Sequence, residues 1–344
     1  MDILKKEKIA LEVIKTLKSK FEDFPEDASH NRNAPFHEAF LEAFKVKICK
    51  HVTDIPIFVS LASWMHGLNT TLGQTFFENV AHILCDGEKR EFKYLLINSI
   101  QQNIINEIIN SLKNNNTNPD ISKENNLLFE NQENSNQNIS NFTADVYYED
   151  YDSIFAIELK TVKPNSGIFK SEKEKILYAK AGLKNKFPKK QVYYYLGFPF
   201  DPLNEQKCGS DKIRFLNYGI DCKKFFDPSE ILLADELWDF LSEGKNTMQL
   251  ILEIINSISK PDFMEKYDLI NNPSNFLSYP VNYKNTLNEW FLNRELIIIQ
   301  NLELLLNKSK NEKNINRLLK QNLFNAKGEY KENRISTLLE VIRN

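Results

Sequence analysis

Residues 141–163, NFTADVYYEDYDSIFAIELKTVK, put two carboxylates and a lysine on strands that are otherwise apolar, which narrows the folds open to this chain. Residues 143–148 and 153–161 are dense in β-branched and aromatic side chains, with a polar turn between them, and so read as a β-hairpin. With the turn centred between Tyr151 and Asp152, Asp145 falls directly opposite Glu158. Strand side chains alternate faces, so Asp145, Glu158 and Lys160 share one face. Val146, Tyr148, Phe155, Ile157 and Leu159 take the other, the expected core side.

Two neighbouring carboxylates repel, and one takes up a proton unless a cation stands between them. A hard divalent ion such as Mg²⁺ accepts one or two carboxylates and keeps several waters. A lysine beside it can hold a water and neutralise charge developing on a phosphate. The pattern points to metal-assisted hydrolysis of a phosphodiester. Glu-x-Lys alone carries little weight, since five such triplets start at Glu91, Glu158, Glu205, Glu243 and Glu329. Only Glu158–Lys160 ends an apolar strand opposite an aspartate; the others sit where a solvated pair is explanation enough.

Asp145, followed after twelve residues by Glu158-Leu159-Lys160, resembles the PD-(D/E)XK nuclease motif, with Ala144 in place of the proline. The longer run IELKTVKPNSG, with the lysine-rich helix after it, is similar to type II restriction endonucleases of the TdeIII-like group. That resemblance implies an α/β fold: a small mixed sheet flanked by helices over residues 71–259, with helical regions at 1–70 and 260–344. It implies Mg²⁺-dependent cleavage of double-stranded DNA at a short palindrome of GGNCC type, leaving 5′-phosphates. Asp145 and Glu158 would hold the metal, with the Leu159 carbonyl as a further ligand, and Lys160 would orient and activate the attacking water. A palindromic site suits a two-fold homodimer, and a cognate DNA methyltransferase is the expected functional partner.

The formal net charge of −3 hides an uneven distribution. From Lys160 to Lys190 there are ten lysines and two acidic residues, a local surface suited to nucleic acid. Lys173, Lys180 and Lys184 fall on one stripe of a helix starting near Ser171, and are expected to track phosphates. Lys163 is a second candidate phosphate contact. Four scattered cysteines without Cys-x-x-Cys spacing support neither a zinc site nor a disulfide framework, and a cytoplasmic setting fits. The N-terminal run reads as an amphipathic helix rather than a signal peptide.

Helices are expected over residues 1–22, 35–50, 54–65, 71–85, 92–112 and 247–258, and through much of the C-terminal region. On the 71–85 helix Glu78 and His82 fall opposite the apolar face. Spacing alone makes Glu78 a solvated glutamate, whereas the family resemblance makes it an auxiliary site residue. Residues 114–140 are asparagine-rich, with few apolar anchors, and read as a mobile insertion. A further strand is expected over 191–198, a neighbour near 213–216, and a short one at 231–233. Two other readings remain open on these residues: a PD-(D/E)XK nuclease without sequence specificity, and a non-catalytic DNA-binding or interaction protein.

Overall fold

The computed structural model describes residues 1–26, 35–130, 136–161, 166–308 and 312–343. Contacts divide the chain into two compact units, one of residues 77–250 and one built from residues 2–76 together with 251–344. The helices of residues 2–76 and of residues 251–344 fall in one of these units.

The unit of residues 77–250 is built on a five-stranded sheet. Its strands are β1 (Glu88–Phe92), β2 (Phe142–Glu149), β3 (Ser153–Leu159), β4 (Gln191–Phe198) and β5 (Ile231–Leu233), in that spatial order. The pairs β1–β2 and β2–β3 are antiparallel, and β3–β4 and β4–β5 are parallel. Parallel neighbours need a crossover. Between β3 and β4 it is the helix Ser166–Lys186.

Both faces of the sheet are covered. The crossover helix lies on the face that carries Glu158. On the other face a Cβ at Gly197 would meet Ile157, Leu159 and Leu237, so glycine there lets the helix Asp235–Ser242 approach closely. That helix packs beside Phe77–Cys85 through Phe77 and Trp238. The face expected to be the core side is therefore one of two cores.

Three expectations change in this unit. The segment expected to be helical from residue 92 begins with strand β1 and a two-residue strand, Leu96–Ile97, before the helix Ser99–Lys113. Asn98 sets that start: it and Gln101 cap each other's backbone N–H groups. Near 213–216 a strand was expected, but Lys212–Tyr218 is a helix capped by Asp211. The asparagine-rich stretch contains the helix Ile121–Phe129, anchored by fully buried Leu128, and a short strand Gln137–Asn138 paired with Leu96–Ile97. Residues 131–135 within it lie outside the described residues.

The second unit is helical. Phe21 stacks on Phe263, Trp64 Nε1 donates to the Lys20 carbonyl, and Arg294 Nε lies 3.2 Å from Glu7 Oε1. Ile298, Leu305, Ile315, Leu318, Ile335 and Leu338 form its C-terminal core.

Candidate active site

The hairpin register is the expected one. Val146 pairs with Ile157, Tyr147 with Ala156, Tyr148 with Phe155 and Glu149 with Ile154. Continuing that register by one residue sets Asp145 opposite Glu158. Asp150 fixes the turn by accepting from the Asp152 and Ser153 N–H groups. Across the strands, the Leu159 N–H donates to Asp145 Oδ2 at 2.9 Å. That bond commits one carboxylate oxygen and leaves Oδ1, which lies 3.6 Å from Lys89 Nζ.

Glu158 is buried and meets two ammonium groups. Lys160 Nζ donates to Oε1 at 2.9 Å, and Lys175 Nζ donates to Oε2 at 2.6 Å. Lys160 also reaches Glu172 Oε1 at 2.9 Å. Glu78 is buried as well, and both its oxygens accept from Lys89, at 3.0 and 2.9 Å. Lys89 thus ties Glu78 to Asp145. One turn on, His82 Nε2 lies 2.7 Å from the Asp145 carbonyl. A carbonyl only accepts, so the ring carries its proton on Nε2. The face of the helix bearing Glu78 and His82 is turned to the hairpin, where a solvated face was the reading from spacing alone.

Burial, and then the charge of Glu158, push the Asp145 carboxyl above its ordinary value. Burial also raises Glu78, with Lys89 opposing the shift. At Lys160 burial favours the neutral amine, but Glu158 and Glu172 outweigh it and the net shift is upward. Lys160 is an ammonium at neutral pH in this arrangement. It can donate hydrogen bonds and neutralise charge, but it does not take a proton from water.

Asp145, Glu158, Lys89 and Lys175 line a cleft of about 830 Å³, together with Thr143, Ser171, Glu174 and Tyr178. Residues 137–142, from the asparagine-rich stretch and the start of β2, close one side. Among the described residues no three acidic, His or Cys side chains form a ligand set by themselves. Asp145 and Glu158 offer carboxylate oxygens to the cleft, and its amide and hydroxyl side chains add neutral oxygen donors. Two carboxylates with water completing the shell fit a hard divalent ion such as Mg²⁺.

The lysine stripe is corrected. Lys173 and Lys180 are both 0% exposed and cannot meet a phosphate from where they stand. Lys173 Nζ pairs with Glu124 at 2.6 Å and Glu230 at 2.7 Å, and the Lys180 ammonium lies in the same buried cluster without a hydrogen-bond partner. The physical reason is the place of the crossover helix: the sheet covers one side of it, and the helices Ser99–Lys113, Ile121–Phe129 and Cys222–Phe225 cover the other. Lys184 is half-buried, and its ammonium donates to the Pro188 and Lys190 carbonyls. Lys163 lies outside the described residues. Sequence reasoning missed Lys175, Lys89 and Glu172. Lys175 and Glu172 sit in the basic segment beside the lysines it chose, but nothing in the sequence says which side of the helix meets Glu158.

The family model described as "Type II restriction endonuclease, HinfI" matches residues 4–259. A curated relative, the type II restriction enzyme MjaII of Methanocaldococcus jannaschii, is 44% identical over 355 residues, covering 97% of this chain and 96% of that protein. No solved structure matches the chain. With an Asp-Glu-Lys constellation on one hairpin face, a mixed sheet beneath it and a match over most of its length, the chain belongs to the HinfI family of type II restriction endonucleases, which are site-specific deoxyribonucleases.

Proposed function

We propose that the Asp145–Glu158 cleft cuts both strands of duplex DNA at a short palindromic site, with Mg²⁺, leaving 5′-phosphates. The observation that carries this is Asp145, Glu158 and Lys160 converging on one hairpin face beside an open cleft. Asp145 and Glu158 would hold the metal, with Leu159 offering its carbonyl and Glu78 acting through Lys89. A bound divalent ion supplies Lewis acidity at the phosphate and a more acidic water. Lys160, held between Glu158 and Glu172, orients the attacking water by donating to it and offsets charge that builds on the phosphate. The Leu159 N–H holds the Asp145 carboxylate and His82 holds its backbone carbonyl.

A GGNCC-type site is the expectation attached to the TdeIII-like resemblance. A palindrome would be met by a homodimer, and a methyltransferase modifying the same site would protect the host DNA. Among the described residues no helix is long and apolar enough to cross a membrane, which is compatible with action on cytoplasmic DNA. The test is incubation of the purified protein with plasmid DNA and Mg²⁺. Discrete fragments whose ends map to GGNCC are expected. Discrete fragments ending elsewhere overturn the site alone, a smear overturns the specificity, and intact plasmid overturns the assignment of this cleft.

A further inference from the structure

We infer that Lys175 is the ammonium that leaves Glu158 to contact the scissile phosphate, while Lys160 stays fixed on its two carboxylates. This rests on the reading of the cleft as the cleavage site. Lys160 and Lys175 each donate to one oxygen of Glu158, and they differ in what else holds them. Lys160 has a second carboxylate, Glu172, whose remaining oxygen is buried without a hydrogen-bond partner among the described residues. Among the described residues Lys175 has, beyond Glu158, the neutral Thr143 carbonyl at 3.2 Å. Hydrogen bonds between ionised groups are roughly twice as strong as neutral ones. Any charge that competes at Glu158 therefore frees Lys175 by breaking one ion pair, whereas freeing Lys160 breaks two.

Position agrees with that difference. Ser171, Glu174, Lys175 and Tyr178 are spaced three, four and seven apart on the crossover helix and all line the cleft. Lys160 is not among the lining residues; among the described residues the cations that line the cleft are Lys89 and Lys175. Lys89 is committed to both oxygens of Glu78 and lies near Asp145. Lys175 is thus the cleft cation with one carboxylate partner, and a phosphate oxygen entering the cleft offers it a replacement. The basic segment contributes to DNA binding through this residue rather than through Lys173 and Lys180.

The test compares wild type, Lys175→Met and Lys175→Arg on duplexes carrying the site mapped from wild-type plasmid digestion. Binding is measured with Ca²⁺, on DNA with a natural or a neutral methylphosphonate group at the scissile position. Wild type is expected to lose on the order of tenfold in affinity when that phosphate is neutralised. Lys175→Met is expected to show the weaker affinity already with natural DNA and little further loss with methylphosphonate, and Lys175→Arg is expected to restore most of the difference. Equal methylphosphonate sensitivity in wild type and Lys175→Met overturns the inference, as does wild-type affinity in Lys175→Met. Because the neutral phosphate is placed in the DNA, an insensitive wild type also overturns it without any variant. Absence of plasmid cleavage by wild type, in contrast, defeats the reading of the cleft itself.

Discussion

Across the hairpin, the Leu159 N–H donates to Asp145 Oδ2 while His82 Nε2 donates to the Asp145 backbone carbonyl. The side chain and the peptide of one residue are thus both fixed before any ligand arrives, which is what a site must do to place a metal ligand without reorganising. An Asp145→Asn side chain can keep the bond to Leu159 through its amide oxygen, so the hairpin should survive. We expect loss of cleavage with thermal stability near wild type. DNA affinity without metal should be unchanged or tighter, because one charge opposing the phosphate is gone. A salt titration of binding in metal-free buffer checks this, and weaker metal-free binding by the variant would count against a metal role for Asp145.

Lys160→Ala should abolish cutting and leave the protein folded and able to bind DNA with Ca²⁺. The ammonium is removed from between Glu158 and Glu172, so some stability is lost, but Glu158 keeps Lys175. Cleavage near the wild-type rate in single-turnover assays would remove Lys160 from the mechanism.

The pH dependence has a sign. Asp145 and Glu78 hold protons at higher pH than free carboxyls do, so both lose charge earlier as the pH falls. Lys89 opposes this at both residues. Lys89→Met should therefore push both pKa values further up and move the acid limb of the pH–rate profile to higher pH. Single-turnover rates from pH 5 to 8 at fixed Mg²⁺ would show it, and superimposable limbs would contradict it.

Lys173→Ala should behave as a core mutation. Its ammonium sits between Glu124 and Glu230 with no exposure, so truncation leaves two buried carboxylates facing each other. Removing one partner of such a buried set costs about 3–5 kcal/mol. Urea unfolding should show that loss, and the slope of log K against log salt for DNA should stay at the wild-type value. A reduced slope in a stable protein would put Lys173 back on the DNA.

The hairpin was legible in the sequence because a period of two and a centred turn leave one register that buries Val146 and Ile157 and pairs Asp145 with Glu158. Lys173 and Lys180 were not legible, because their surroundings come from far along the chain: Glu124 lies 49 residues before Lys173 and Glu230 lies 57 after it. A lysine stripe looks the same on a solvated helix and on one wrapped on both sides. Strand β1 was hidden for a different reason. Its residues, EKREF, have no β-branched member, and at the sheet edge they pair only with β2. The helix Ile121–Phe129 sits in a stretch whose composition suggested a mobile insertion, yet Leu128 and the Glu124–Lys173 pair anchor it.

Lys180 gives a prediction independent of nuclease chemistry. It is fully buried with no hydrogen-bond partner among the described residues, and burial depresses its pKa from 10.5 to about 8, only partly opposed by Glu230 and Glu124. Between those two values the unfolded chain binds the proton and the folded chain does not. Stability therefore gains with rising pH across that window, since the slope follows the difference in protons bound by the unfolded and folded states. Below about pH 8 both states carry the proton, and the cost of the buried charge is present in full. Lys180→Met removes the group from both states. The difference in unfolding free energy, wild type minus Lys180→Met, should rise from pH 8 to 10 by up to about 1 kcal/mol per pH unit, because the surface lysines and tyrosines that also titrate there cancel in the subtraction. Chemical unfolding of both proteins at pH 7, 8, 9 and 10 makes the comparison. A difference that is flat or falls with pH would mean that Lys180 keeps its charge inside the fold, paired more closely with Glu124 and Glu230 than its unpartnered ammonium indicates.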